Sequence, residues 1–582
     1  MAAMVRIPLT LFLIASLPAS ALAHNTWVGA LQLSPSQEPP LVKLLSEEVD
    51  YSMENLVAED GTRPYFLSYS VTDIASSVIQ AKLGAVYGDD QNRSRVLDLD
   101  LRVGDYQLDS SHPIRGRGGF GGRGGFARFG GGAAIAIDDN PNAVRFALWQ
   151  ATGNAFDNAI ERYRQVKANL KTMVEEKNQA ADFSKEEPVR WFEEEIVVNL
   201  DRNDWTERVQ RVSALARSYP LVFNSSVAVI GSAENRYMAS SEGTRLRTTR
   251  KLLRVVLSAE TRADDGMDLE QSHIFNSATE DGLPSEKEMT VAFRAVLEQV
   301  MALREAPLVE PYTGPAILLN RASGVFFHEI FGHRIEGHRQ KDVNEGQTFT
   351  NMVGEVILPE FLSVVDDPTQ ARFGDTDLRG FYRYDDEGVL AQRVELIKDG
   401  VLKTFLMSRS PLPGFDYSNG HGRREPGNSV VSRQGNLMVE SKKAVPFEEL
   451  REMLVAECKK KSKPYGFLFE DISGGFTMTT RGGPQAFKVL PIIVRRIWAD
   501  GRPDELVRGV DIVGTPLSCF SKIICTGNDP DVFNGTCGAE SGWVPVTATS
   551  PSILVEDIEI EKRERSQERL PLLPSPIIDS KN

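Results

Sequence analysis

The sequence predicts an α+β protein with a mixed helix/sheet N-terminal domain and a strand-dominated C-terminal domain that carries one short helix rich in histidine. Three observations predict it. Helical and strand-like stretches alternate from about residue 143 to 310, and strand patterns dominate after about residue 390. Between these regions the apolar run Pro315 to Leu319 reads as a buried strand leading into Gly324-Val-Phe-Phe-His-Glu-Ile-Phe-Gly-His-Arg-Ile-Glu-Gly-His338. A chain of 582 residues is too long for a single hydrophobic core, so at least two domains are expected. Their spans are read as 24–310 and 311–562, preceded by a leader at 1–23 and followed by a charged, then proline-rich, flexible tail at 563–582.

At the N-terminus, Arg6 precedes an apolar stretch, Ile7 to Leu17, and Ala21-Leu22-Ala23 supplies a small-x-small cleavage site before His24. The pattern is that of a secretory signal peptide and predicts an exported protein, periplasmic or secreted. The apolar stretch is short for a membrane span, and no span is expected in the mature chain. Residues 40 to 110 mix a short helix with strand-like pieces such as Tyr65 to Val71 and Val96 to Val103. Residues 115–132 are built of Arg, Gly and Phe and read as a surface loop. Such a segment can bind RNA, but a net charge of -15, from 66 Lys+Arg against 81 Asp+Glu, opposes a nucleic-acid partner.

A long helix is expected from Ala143 to about Lys177, broken or bent near Gly153, and another from about Asp204 to Arg217. Val227 to Ala239 and Arg245 to Ala259 read as strands flanking a Ser241-Glu242-Gly243 turn. Ser285 with Glu288 three residues on is a capping box, and Phe293, Val296, Leu297, Val300 and Met301 follow the helical period behind it.

Ser323 is a candidate N-cap for a helix starting at Gly324. That helix carries His328, Glu329 and His333. On a regular α-helix, residues five apart lie roughly 140° from one another, so the spacing predicts a widened π-type turn, eased by Gly332, that brings the two imidazoles together. Zinc fits such ligands, and a neighbouring glutamate can act as a base toward an attacking water. A catalytic zinc commonly has three protein ligands. The third would come from Glu336, His338, His421, Cys525 or Cys537, and Cys537, flanked by glycines in Gly535-Thr-Cys-Gly538, has the strongest claim on chemistry alone. The four cysteines form no Cys-x-x-Cys pair, although Cys519 and Cys525 are close enough in sequence for a local disulfide. Farther on, Lys398-Asp399-Gly400 predicts a hairpin turn, Pro446 to Lys460 a helix, and Phe487 to Trp498 and Ser552 to Ile560 strands. Glycine-bearing segments at 385–388, 420–424, 473–475, 481–483 and 535–538 are candidate pocket linings.

The segment 324–337, Asp385-Asp-Glu-Gly388, the Asp399-Gly400 hairpin, Gly420-His-Gly-Arg-Arg424, Gly474-Gly475, Val513-Gly-Thr-Pro516 and Cys537 together resemble the TldD/PmbA family of metallopeptidases, in its zinc-bearing TldD-like branch. The resemblance implies a zinc peptidase acting on small or unfolded peptides. Carried onto this sequence, His328, His333 and Cys537 would bind Zn2+ and Glu329 would be the general base. It also implies a dimer, either of identical chains or with a metal-free PmbA-like subunit. Gly474 and Gly475 are candidates for holding a peptide as an added strand, and Tyr382, His421 and Arg423 for further substrate contacts. The signal peptide and the insertion at 115–132 depart from the family pattern. The alternative reading is a non-catalytic peptide-binding or assembly protein with a fully enclosed, structural zinc.

Overall fold

The computed structural model describes residues 37–114, 132–171, 180–342, 345–479, 481, 487–515, 519–563 and 576. The expected signal peptide, all but the last residue of the 115–132 loop and nearly all of the expected tail lie outside them.

The N-terminal half is built on long antiparallel strands. In spatial order these are Ala85–Val103, Pro64–Lys82, Asn224–Ser240 and Arg245–Arg262, with Asp268–Ser277 and Arg190–Phe192 both on the outer edge of the last. The two short apolar pieces read from sequence are thus the ends of strands of 19 residues each. Their polar, exposed middle and tip, Ala85 to Arg93, concealed the continuity. One face of the sheet is apolar at both ends. At one end Leu67, Tyr69, Leu99 and Tyr237 pack under helices Pro40–Asn55 and Pro141–Leu170. At the other, Ile79, Val229, Val255 and Leu257 pack under Arg202–Ser213 and Glu286–Glu305. Side chains alternate across a strand, so the opposite face carries Thr72, Glu234, Arg236, Thr248, Arg250 and Arg254.

The capping box forms as read: the Ser285 hydroxyl accepts from the Glu288 amide, and the Glu288 carboxylate accepts from the Ser285 amide at 2.8 Å. Helix Pro141–Leu170 runs without interruption through Gly153. The helix does not break there, and no packing contact demands the glycine: a Cβ at that position would meet no atom within 4 Å. The last part of the expected helix, beyond Lys171, falls outside the described residues.

The C-terminal half closes a small barrel. Tyr312–Leu318 pairs in parallel with Tyr465–Thr477 and antiparallel with Ile553–Lys562, and the ring is completed through Phe487–Trp498 and Val510–Gly514. A six-stranded sheet stands beside it, ordered Val401–Leu402, Val394–Lys398, Leu362–Asp366, Asn436–Ser441, Gly542–Ser550, Asp531–Ala539. The hairpin at 398–401 turns through Asp399 and Gly400 at φ +49° and +79°, the pair of left-handed residues that a type I′ turn requires. Helix Phe447–Lys460 covers the outside of the barrel with Leu450, Leu454 and Cys458 against Ile317 and Cys525. All four cysteines are free and buried. The local disulfide between Cys519 and Cys525 does not form, because each thiol is packed in a different core cluster.

Arg409 joins the two halves. Its guanidinium donates to the Ser184 carbonyl and the Glu242 carboxylate, and lies 3.9 Å above the Phe183 ring. Its amide donates to Glu387 at 2.7 Å, and Glu387 shares a buried site with Asp385. Burial and the Asp385 charge push Glu387 up to about 8, and burial raises Asp385 as well. Both carboxyls are raised in the folded state, so the folded protein holds protons that the unfolded chain releases. The resulting stability is present at low pH and is lost as pH rises from about 4.5 through about 8. Glu387→Gln should remove this contribution. The melting temperature of the variant relative to the parent should therefore climb steadily between pH 5 and 8, and parallel curves would contradict the assignment.

Candidate metal centre

The strand Tyr312–Leu318 runs directly into helix Asn320–Ile330. The first helical amide, of Asn320, donates to the Ser552 hydroxyl at 3.1 Å, and the Asn320 side chain donates to the Asp529 carbonyl. Ser323 is therefore not the N-cap. It sits inside the helix with its hydroxyl 2.8 Å from that of Ser550, because Ser552, just ahead of the barrel strand Ile553–Lys562 and more than two hundred residues later, supplies the acceptor for the first helical amide. The helix lodges between the barrel and the Asp531–Ala539/Gly542–Ser550 hairpin, with Phe326, Phe327, Ile330 and Phe331 in the core.

The expected π-type turn is absent too. The α-helix stops at Ile330, Phe331 departs to φ -100° and ψ -53°, and Gly332–Arg334 forms a 3-10 turn. The second imidazole returns to the first by a change of chain direction rather than by extra residues in a continuing helix. Gly332 serves a different purpose from the one expected: a Cβ there would overlap the carboxamide of Gln434, whose Nε2 donates to the His328 carbonyl at 3.4 Å.

The His328 and His333 rings lie 5.1 Å apart at 73° to each other. Cys537, on the strand Asp531–Ala539, brings its Sγ to 3.3 Å from His333 Nε2. One donor atom from each of the three residues lies within 4.8 Å of the others, and all three are buried. Burial opposes charge on each group. Mutual attraction wins: Cys537 is held well below the ordinary thiol range by the two rings, and both imidazoles are raised, His333 most strongly, by the thiolate. His328 Nδ1 is buried without a hydrogen-bond partner among the described residues. Two imidazoles, a thiolate and an orphaned ring nitrogen make a donor set that fits zinc.

A carboxylate sets the orientation of His333. The fully buried Glu336 faces His333 Nδ1 at 3.2 Å, so that nitrogen holds the proton and Nε2 turns toward Cys537. Despite burial, His333, Arg339 and Arg433 together lower Glu336 to about 2. Arg433 also donates to the Cys537 carbonyl at 2.9 Å and to the Ser541 hydroxyl, tying the helix side of the site to the thiolate strand. His338 pairs with Glu540, which Arg339 also holds. Two alternatives for third ligand, Glu336 and His338, are thereby committed to neighbours. His421 is fully buried, with Nε2 3.3 Å from Asp366 and Nδ1 on Asn419. Cys525 lies in the cluster on the outer side of the barrel. The His333–Glu336 spacing, i and i+3, is visible in the sequence, whereas nothing marked Arg433 or Glu540.

Glu329 is buried beside the three donors, its Oε2 3.9 Å from His333 Nε2. Burial first, and then the negative charges of Cys537 and Glu336, raise its carboxyl, while the two rings pull it down. Gly475, on the strand Tyr465–Thr477, lies against it: a Cβ there would stand 2.9 Å from Glu329 Cγ. The neighbouring Gly474 faces open space. The other candidate substrate contacts sit elsewhere. Tyr382 donates to the Gly420 carbonyl at 2.9 Å, and Arg423 stacks over the Tyr382 ring at 4.8 Å and donates to the Gln434 carbonyl at 2.5 Å. They connect to the metal helix through Gln434.

Residues 311–562 match the family model described as the PmbA/TldA metallopeptidase C-terminal domain. The chain is a homologue of the TldD/PmbA metallopeptidases. An Archaeoglobus fulgidus metalloprotease is 29% identical over 233 residues, 40% of this chain and 49% of that protein. The metalloprotease TldD homolog of Buchnera aphidicola from Acyrthosiphon pisum is 27% identical over 372 residues, 61% of this chain and 71% of its own. The match thus spans about half of the first relative and under three quarters of the second. TldE from Thermococcus kodakarensis superposes with a TM-score of 0.57 at 14% identity, covering 89% of this chain and all of that one, which extends the likeness in fold across both halves of the TldD/PmbA homologue.

The two adjacent glycines give a paired test. Gly475→Ala drives a methyl into Glu329 and the Lys488 carbonyl, and should cost about 1–3 kcal/mol of stability. Gly474→Ala should cost under about 0.5 kcal/mol. Denaturant unfolding of the two variants measures the difference, and equal losses would contradict the packing described.

Proposed function

We propose that this chain is a zinc-dependent peptidase that hydrolyses peptide bonds in small or unfolded peptides. The observation that carries the reading is the convergence of His328, His333 and Cys537 with a buried, raised carboxyl beside them. The family match supports metallopeptidase chemistry in general terms. His328, His333 and Cys537 would hold the zinc. When bound, that ion supplies a Lewis acid that polarises the scissile carbonyl and acidifies water.

The remaining work belongs to the chain. Glu329 takes the proton of the attacking water and later returns it to the leaving amine. A carboxyl raised by burial is the better base for the first transfer, and once protonated it can supply the proton for the second. Glu336 keeps His333 in the tautomer that leaves Nε2 free as a donor. A peptide would lie along Tyr465–Thr477 as an added strand. Beyond Phe469, that strand pairs on one side only among the described residues, and Gly474 leaves its surface open. In this reading the protein acts as a dimer, of identical chains or with a PmbA-like subunit, after export. No helix among the described residues is long and apolar enough to cross a membrane.

Glu329→Gln should keep a full complement of zinc while peptide hydrolysis falls by about 10²–10⁴-fold. Cys537→Ser should lose the metal. Metal content and cleavage of an unfolded-peptide library, measured on the same preparations, check both. A Glu329→Gln protein that cleaves at the parent rate would remove Glu329 from the mechanism, and undiminished zinc in Cys537→Ser would remove that ligand.

A further inference from the structure

The polar face of the N-terminal sheet meets segments 381–386 and 423–426 of the C-terminal half around a cavity of about 210 Å³. Five arginines line it: Arg236, Arg250, Arg383, Arg423 and Arg424. Four have carboxylate partners, Asp386, Glu234, Glu193 and Asp98 respectively. Among the described residues Arg423 has none. It is almost completely buried, and its guanidinium donates from Nη1 to the Gln434 carbonyl. Two arginines nearby but outside the cavity lining also have no carboxylate partner among the described residues. Arg254 donates to the Asn276 carboxamide, and Arg379 donates to the Thr536 hydroxyl, its Nε buried without a partner. Burial and repulsion from Arg254 and Arg250 depress Arg379 to about 9, and burial with its cationic neighbours depresses Arg423 to about 10. A guanidinium remains charged at neutral pH, so these shifts record cations that an anion would stabilise.

From this geometry we infer that the cavity is a subsite for a carboxylate of the peptide, received by Arg423. The inference rests on the peptidase reading for its ligand, but its test does not need turnover. Glu193, Glu234, Asp385 and Asp386 also line the cavity, four acids against five arginines, leaving only a small positive excess. One singly charged carboxylate matches that excess, and a doubly charged phosphate would meet the four acids. Guanidinium groups are suited to paired hydrogen bonding of a planar carboxylate. Arg423 shares Gln434 with the metal helix, since Gln434 accepts from Arg423 and donates to the His328 carbonyl.

The carboxylate could be the C-terminus of the peptide or an Asp/Glu side chain. Calorimetric titration of zinc-loaded Glu329→Gln protein with one neutral peptide in three forms separates these: free acid, C-terminal amide, and amide with one Gln changed to Glu. Binding should be roughly tenfold tighter for whichever charged form the pocket accepts. Arg423→Gln should bring that ratio close to one and leave the amide's affinity unchanged. Arg423→Lys, which keeps the charge and gives up the planar fork, should lower the ratio only in part. Equal affinity for the three forms, or a charge preference that is undiminished in both variants, would overturn the subsite. Loss of peptidase activity in the parent protein would instead count against the proposed function and leave this comparison readable.

Discussion

Closure of the C-terminal barrel at Tyr312–Leu318 is the constraint from which the site follows. That strand is paired on both sides, so the residue after it has a fixed position and direction. The helix starts at once, its first amide held by Ser552, the residue just ahead of the strand that seals the ring. His328 is thereby delivered to a defined depth. Cys537 arrives separately, on the hairpin against which the helix packs, and its contact with His333 spans 204 residues of sequence. Neither donor set is local in any sense that a helix alone could satisfy. The barrel and the adjacent sheet supply the distance between them.

Electrostatics then decides how these donors are presented. A buried thiolate, two imidazoles and two carboxylates would be costly to leave unpaired. The structure resolves this by alternation of sign: Cys537 against the rings, His333 against Glu336, and Glu336 against Arg339 and Arg433. Arg433 is fully buried and reaches the thiolate strand as well. Its position couples the two elements that carry the ligands. Glu329 is the one carboxyl near the donors whose burial outweighs the attraction of the rings, and its raised pKa separates it in kind from Glu336, which is lowered.

Much of this was legible in the sequence where the determinant is local. Ser285 and Glu288 are three residues apart, Asp399-Gly400 is a two-residue turn signal, and Pro315 to Leu319 is a continuous apolar run. Each predicted its element. The donor triad was legible because imidazole and thiolate are rare in this chain and fell in glycine-flanked settings. Where the determinant is distant, sequence reasoning failed. Ser323 looked like a cap because the real acceptor, Ser552, lies more than two hundred residues away in sequence. The turn after Ile330 was read as a widened helix because angular phase says nothing about a change of direction. Gly153 looked like a break, yet helix Pro141–Leu170 continues through it, since its sheet contacts come from Leu148 and Phe156 on either side. Arg423 and His421 were both candidate substrate contacts, but the two side chains have different surroundings. His421 is sealed against Asp366, and Arg423 opens on the arginine-lined cavity.

The account stands on one cation held by two imidazoles and one thiolate with a coordination place left for solvent or substrate. Zinc-edge X-ray absorption on the zinc-loaded protein reads that arrangement directly. The expected first shell is one sulfur at about 2.3 Å, two imidazole nitrogens at about 2.0 Å and a light oxygen scatterer. A shell without sulfur, or one filled by four protein donors, would contradict it.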